Sequence, residues 1–343
     1  MKLSVVDQSP IPAGFSAADA LANTIDLARF TEALGYSRYW LAEHHATAAF
    51  AGPAPEIMIA RVAAETATIR VGSGAVLLPH YSPLKVVETF SVLEALYPGR
   101  IDLGIGRAPG GSQLDAYALQ RLRPSEAMHD DFPQQLAELL AFLGGHFPAE
   151  HPFSRIHVSP APSGGLALWL LGSSGWSADA AAQLGLPYAA AHFINPASTR
   201  ASIERYRAGF TPSAHLDAPK AIAAVGVICA DTDAEAQRLY ASQRLRRLLR
   251  DQGGDRGPIP TPEDAVARLG ETPAQPPRDE GEWPRLFSGD VATVHERLAA
   301  MADALGLDEL MLVTVVHGHE ARRRSYALLA DAFGLEPPQA QSL

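Results

Sequence analysis

Cysteine is almost absent from this chain, and its scarcity excludes several classes of protein. Cys229 is the only cysteine among 343 residues, so neither an intramolecular disulfide nor a cysteine-rich metal site can form. The residue lies within the apolar run AIAAVGVICA, which favours an unreactive, buried thiol.

Long hydrophobic runs and basic clusters are also missing. No apolar stretch is long enough for a membrane-spanning helix, and the apolar run in the amino-terminal segment MKLSVVDQSP is too short for a secretory signal. We therefore expect a cytoplasmic protein that does not bind membranes. The formal net charge of −10 also makes nucleic acid and anionic lipid unsuitable partners.

Strand-like and helix-like patterns alternate along the whole chain, 47% of which is hydrophobic. The predicted strands are 3–6, 38–42, 69–77, 101–105, 168–171, 188–192, 221–228 and 309–316. The predicted helices are 17–34, 54–67, 83–96, 124–143, 176–184, 196–209, 233–250, 290–305 and 319–333. Short, continuously apolar strands are typical of a parallel sheet that is covered on both faces.

Eight such strands predict a (β/α)₈ TIM barrel that spans residues 1–343 as a single domain. A doubly wound open sheet is the alternative, but the first strand–helix loop, DQSPIPAGFS, has no glycine-rich dinucleotide fingerprint. Residues 251–285 interrupt the alternation before the last strand and are dense in proline and glycine. We predict that this insertion is a lid or binding loop, with an ordinary surface loop as the alternative.

The segment 69–111 reads as a strand, a helix and a second strand, which together form a βαβ unit. Gly72 and Gly74 lie inside its first strand, where glycine usually means that another backbone or a ligand comes close. Arg107 follows the second strand. Because barrels bind ligands at the carboxyl ends of their strands, Arg107 is a candidate ligand-binding residue.

A second candidate is the stretch GSSGWS, which follows the fifth predicted strand and begins a helix. Hydroxyl groups and free backbone N–H groups at a helix start favour an anion, and so does the helix dipole. Ser173, Ser174 and Ser177, together with Arg107 as a cationic partner, therefore predict a phosphate-binding site. An ordinary capped helix start is the alternative for GSSGWS alone.

Two histidines follow the second predicted strand. His44 or His45 could act as a general base or a hydrogen-bond donor, and adjacent strand residues point to opposite sides, so only one should face the pocket. A metal site built from Glu43, His44, His80 and His192 is the competing interpretation. No HxH or HExxH spacing occurs around these residues, so we assign no metal.

With these residues located, the chain resembles the bacterial luciferase-like flavin-dependent monooxygenases, in their single-chain, non-luminescent branch. The resemblance covers most of the chain and is carried by YWLAEHH (39–45), VGSGAVLLPHYSPLKVVE (71–88), LYPGRIDLGIGRAPG (96–110) and GSSGWSADAAAQLGLP (172–187). It implies a barrel, usually dimeric, that binds reduced FMN. The enzyme would use the reduced FMN and O₂ to oxidise a small organic substrate. A separate flavin reductase would supply the reduced FMN, because this chain has no fingerprint for a nicotinamide cofactor.

The resemblance also implies roles for individual residues. The Gly74–Ala75 bond matches the family's non-proline cis peptide under the flavin ring, and His44 matches its catalytic histidine. The phosphate contacts carry over to Arg107, Ser174 and Ser177, with Ser173 beside them. Two alternatives stay open within the fold: a deazaflavin-dependent dehydrogenase and a flavin-binding protein without turnover. A metal-dependent barrel hydrolase is a third.

Overall fold

A computed structural model describes residues 1–108, 110, 113–119, 131–254, 257–270 and 281–338. The amino-terminal part of the predicted helix 124–143 and two parts of the insertion 251–285 lie outside these residues.

Ten parallel strands make up the sheet in the described part of the chain. They are β1 (Lys2–Asp7), β2 (Arg38–Leu41), β3 (Arg70–Ser73), β4 (Val76–Leu77), β5 (Ile101–Gly106), β6 (Ala167–Gly172), β7 (Tyr188–Ala190), β8 (Ala221–Ala230), β9 (Leu286–Asp290) and β10 (Glu309–Val313). Eight of them pair side by side in the order β10, β1, β2, β3, β5, β6, β7, β8, and pairing of β8 with β10 closes the ring. Strand β4 also pairs with β5. The predicted (β/α)₈ barrel is confirmed, with β3 and β4 sharing one of its eight positions.

Helices cover the outside of this ring. The described ones are α1 (Ala17–Ala33), α2 (Pro55–Glu65), α3 (Pro83–Leu96), α4 (Gln113–Leu119), α5 (Phe132–Gly144), α6 (Gly175–Leu184), α7 (Thr199–Ala208), α8 (Asp233–Asp251), α9 (Pro262–Leu269), α10 (Val291–Leu305) and α11 (His319–Ala332). None of them is long and apolar enough to cross a membrane.

Most strand residues are buried, because both faces of the sheet are covered. In β2, Tyr39 and Leu41 pack outward in the large cluster beneath the helices, whereas Trp40 belongs to the cluster inside the barrel. In β10, Leu310 packs outward and Met311 packs inward in the same way. Alternation of side chains along a strand therefore supplies both layers of the core from one apolar run.

The structure differs from the sequence prediction at four main places, one of which is helix α4, which was not predicted. The predicted strand 69–77 is divided into β3 and β4 at the Gly74–Ala75 peptide bond, which is cis. Strand β9 was not predicted; it lies outside the ring, paired with the carboxyl half of β8. Helix α9 lies within the insertion, and Ala265 on it packs against α8.

The insertion also contacts the mouth of the barrel. The N–H group of Ile259 donates to the carbonyl of Ile11, and the carbonyl of Ile259 accepts from Ala13, at 2.8 and 2.7 Å. The Ile259 side chain is fully buried in the interior cluster. The described part of the insertion is thus fastened to the loop that follows β1.

Candidate functional site

A cavity of about 530 Å³ opens at the carboxyl ends of the barrel strands, a volume typical of small-molecule sites. Every residue that the sequence predicted for the site lines it: His44, Gly74, Ala75, Arg107, Ser173, Ser174 and Ser177. Residues far apart in the chain meet here because the carboxyl ends of parallel strands share one face of the barrel.

The break between β3 and β4 forms one wall of the cavity. At Gly74, a Cβ atom would lie only 3.1 Å from Trp40 Cβ and from Val6 Cγ2, so a larger residue would require these two side chains to shift. Gly72 is crowded differently: a Cβ atom there would collide with the backbone carbonyl of Asp102. The predicted close approach of another backbone is confirmed at Gly72.

Arg107 follows β5, the strand that pairs with β4, and lies over an aromatic ring. Its guanidinium carbon is 4.8 Å from the centroid of the Trp176 ring in α6, a cation–π contact that orients the positive charge. Trp176 is in turn packed edge to face against Phe132, with the ring centroids 5.3 Å apart. Arg107 is therefore held beside the start of α6.

The start of α6 presents hydroxyl groups and N–H groups to the same cavity. Ser174 is the N-cap residue, yet its hydroxyl makes no capping hydrogen bond. Ser177 is buried against Gly172, where any side chain would collide with its hydroxyl group. The Ser173 carbonyl accepts hydrogen bonds from Asn195 Nδ2 and Ser198 Oγ, at 3.1 and 2.9 Å. Free donors at a helix start beside a guanidinium form an anion-binding corner.

His44 lies across the cavity at the end of β2. Its backbone N–H donates to the Gly52 carbonyl at 2.9 Å, and its ring centroid is 4.7 Å from that of Phe50. Burial, together with the positive charges of His45 and Arg246, lowers the pKa of His44 to about 4. The ring is therefore neutral near pH 7. Its buried Nδ1 atom has no hydrogen-bond partner among the described residues.

His45 is not among the residues that line the large cavity; it contacts Glu43 instead. Its Nε2 atom is 2.7 Å from Glu43 Oε1, so the prediction that only one of the two histidines faces the pocket is confirmed. The buried Glu43 also accepts hydrogen bonds from the Leu77 N–H and the Tyr81 hydroxyl, both at 2.9 Å. Glu43 thereby fixes the segment that follows Ala75.

The residues of the competing metal interpretation do not form a set of metal ligands in the described part of the chain. His192 is fully buried, with Nδ1 2.9 Å from Thr199 Oγ1 and Nε2 2.9 Å from the Pro284 carbonyl, so both ring nitrogens are occupied. Within the described ranges, no group of three or more His, Cys, Asp or Glu side chains is arranged to hold a metal ion.

Sequence reasoning did not identify the apolar walls of the cavity. Trp40 and Met311 reach it from the middle of strands, and Leu77, Phe193 and Ile194 reach it from strand ends. In a run that is apolar at every position, the period-2 signal that would show which residues face the interior is absent. Only residues at the ends of strands could be assigned from sequence.

Comparison with known proteins agrees with this geometry. The family model for luciferase-like monooxygenases matches residues 1–309. A luciferase-like monooxygenase of Escherichia coli K12 is 38% identical over 96% of this chain and 96% of its own. The N-acetyl-S-alkylcysteine monooxygenase of Bacillus subtilis is 36% identical over 97% of this chain and 98% of its own.

Among solved structures, that of apo-MsnO8 superposes with a TM-score of 0.89 at 49% identity, covering 98% of this chain and 99% of that one. The family match extends over most of the chain, and the relatives share nearly its full length. The chain therefore belongs to the luciferase-like monooxygenase family and is an enzyme of the flavin-type monooxygenase class.

Proposed function

We propose that the large cavity binds reduced FMN, delivered by a separate flavin reductase, and that the enzyme uses it with O₂ to oxygenate a small organic molecule. The observation that carries this proposal is the division of the cavity: an anion-binding corner at Arg107 and α6, and an apolar space with one neutral histidine. FMN has the matching division, with a phosphate at one end and a flat apolar ring system at the other.

The anion-binding corner suits the phosphate. Arg107 offers a planar guanidinium that can bind two phosphate oxygens at once. Ser174 and Ser177 offer hydroxyl groups, and the N–H groups in the first turn of α6 add further donors. We propose that these three residues hold the phosphate and that Ser173 supports them by fixing the loop.

The ring system would lie against the wall formed by Gly74 and Ala75, where the absence of a large side chain leaves a flat surface. Trp40 and Met311, which line the cavity, would pack against it from the barrel interior. When bound, reduced FMN supplies the electrons with which O₂ is activated. The residues of this chain then orient the reactants and exclude water.

His44 is the candidate catalytic residue. A neutral imidazole carries one N–H donor and one acceptor nitrogen, so it can give a proton to the reacting oxygen and recover one from the substrate. Because the pKa of His44 is about 4, the ring does not carry a permanent positive charge into the site. Apolar residues that line the same cavity, such as Phe193 and Trp40, would limit the access of water to the reaction.

We propose that the insertion 251–285 acts as a lid. In support, Ile259 is buried at the barrel mouth and hydrogen-bonded to the loop after β1.

The name of the Bacillus relative makes N-acetyl-S-alkylcysteines the first substrates to assay, and Phe193 and Ile194 are suitable neighbours for an alkyl group.

We also propose that the protein is a homodimer, which sedimentation equilibrium would test.

An anaerobic titration tests the proposal. Protein is mixed with reduced FMN or with reduced deazaflavin, and binding is followed by the change in flavin absorbance; air is then admitted and O₂ uptake recorded. We expect reduced FMN to bind more tightly than about millimolar and to support O₂ uptake. Preference for the deazaflavin without O₂ uptake would favour the dehydrogenase alternative, and no binding of either would reject both.

The other alternative within the fold is a flavin-binding protein without turnover. We expect the variant His44→Ala to bind reduced FMN as the wild type does and to lose substrate oxygenation in the presence of a reductase and NADH. Equal oxygenation by the variant and the wild type would remove His44 from the mechanism.

A further inference from the structure

A second cavity of about 360 Å³ opens at the opposite end of the barrel, where strands β2, β3, β6 and β8 begin. Its lining includes Arg38, Arg70, Trp169 and Lys220 and shares no residue with the cavity described above. The chemistry of the proposed oxygenation gives it no role.

Arg38 is the most deeply buried cation of this lower cavity, with a relative exposure of 8%. Its Nη1 atom is 2.6 Å from Asp102 Oδ2, and its Nε atom is 3.0 Å from Glu309 Oε1. No described residue accepts a hydrogen bond from Nη2, so the two N–H groups on that atom are left for a ligand.

Positive charge exceeds negative charge around the lower cavity. Arg70 also binds Asp102, with Nε 2.8 Å from Oδ1, so Asp102 is shared between two guanidinium groups. Counting Arg38, Arg70 and Lys220 against Asp102 and Glu309 leaves one cation without a carboxylate. Lys220 reaches solvent at the rim of the cavity, whereas Arg38 is buried, and a bound anion would balance the excess charge beside Arg38.

Two of the cations lie over the same aromatic ring. Arg38 Cζ is 5.0 Å, and Lys220 Nζ 5.2 Å, from ring centroids of Trp169. Lys220 is exposed to solvent on one side, but its partial burial lowers its pKa, and repulsion by Arg38 acts in the same direction. The buried indole N–H of Trp169 has no acceptor among the described residues and is a further donor without a partner.

From these observations we propose that the lower cavity is a second ligand site, specific for a small oxyanion that carries carboxylate or phosphate oxygens. Nη2 of Arg38 and the Lys220 ammonium are its direct contacts, and Arg70 adds positive charge behind them. Guanidinium and ammonium groups on a fixed aromatic surface form charge-assisted hydrogen bonds to such oxygens. The bound anion would neutralise the excess charge and bridge β2 to the start of β8.

The small number of lysines allows a direct test. The chain has three, Lys2, Lys85 and Lys220, so reductive ¹³C-methylation, which retains their charge, gives at most three lysine signals in an NMR spectrum. Inorganic phosphate and citrate are titrated separately at constant ionic strength. We expect a saturable shift of the Lys220 signal and none at Lys85, which lies on α3. A response to citrate alone would identify carboxylate as the ligand chemistry.

Calorimetry with the unlabelled protein gives the affinity. Losing one charge-assisted contact should weaken binding by about 10- to 100-fold in Lys220→Met, whereas the matched control Lys85→Met should bind as the wild type does. Both titrations are repeated in Arg107→Gln, because phosphate can also occupy the proposed cofactor corner. Equal shifts at Lys85 and Lys220, no saturation with either anion, or unchanged affinity in Lys220→Met would each overturn the proposal without affecting that for FMN.

Discussion

Replacing His44 by glutamine should make the protein less sensitive to acid. The folded protein holds the pKa of His44 at about 4, whereas the ordinary value is 6.5, because burial disfavours the imidazolium. Between these values the unfolded chain binds a proton at this position and the folded chain does not. Lowering the pH from 6.5 to 4 therefore favours unfolding, and the stabilising contribution of neutral His44 is lost across this window.

The size of the effect follows from the shift. At 1.36 kcal/mol per pKa unit, the free energy of unfolding would fall by at most about 3 kcal/mol below pH 4, and by about 2 kcal/mol at about pH 5. The measured effect should be somewhat smaller, because the ring keeps partial access to the cavity. Glutamine cannot titrate, so His44→Gln should lack this part of the acid sensitivity.

Urea denaturation followed by tryptophan fluorescence, at about pH 8 and about pH 5, measures the difference. We expect wild type to lose about 1–2 kcal/mol more than His44→Gln between the two pH values. The control His157→Gln, which alters an exposed histidine, should lose as much as wild type. Equal losses in wild type and His44→Gln would refute the burial of a neutral imidazole at this site.

Three further substitutions test other parts of the account. Arg107→Gln should weaken binding of reduced FMN by about 10- to 100-fold, because a charge-assisted contact to the phosphate is lost; unchanged affinity in the anaerobic titration would contradict its role. Gly172→Ala should displace the hydroxyl of Ser177 and weaken the same binding by about 10-fold, which affinity equal to wild type would disprove. Asp102→Asn should lower the free energy of unfolding by about 3 kcal/mol or more, because Arg38 loses a buried ion-pair partner; an unchanged denaturation midpoint would argue against that pairing.

The sequence predicted the barrel because both faces of each strand are covered. Strands such as β6 and β8 carry no polar side chain that could face water, and a parallel sheet between two packed layers accounts for that pattern. Strand β9 was missed because LFSGD is short, half polar and followed at once by a helix. Helix α9 had a readable signal in TPEDAVARL, with a threonine cap, a first-turn proline and acidic residues, but the prolines around it concealed that signal.

The site was predictable to the extent that its residues follow strands directly. His44, Arg107 and Ser174 come just after strands, where topology alone places them at one face of the barrel. Trp40 and Met311 could not be identified, because nothing in a uniformly apolar strand shows which side chains face the interior. The function of Glu43 could not be identified either, since it depends on the return of Leu77 to the end of β2.

A crystal structure of the protein soaked with FMN would show whether the large cavity holds the flavin as proposed. We expect the phosphate within hydrogen-bond distance of Arg107, Ser174 and Ser177, with the flavin ring against Gly74–Ala75 and His44 beside it. A flavin bound elsewhere, or bound in the cavity with its phosphate away from Arg107, would refute the proposed cofactor site.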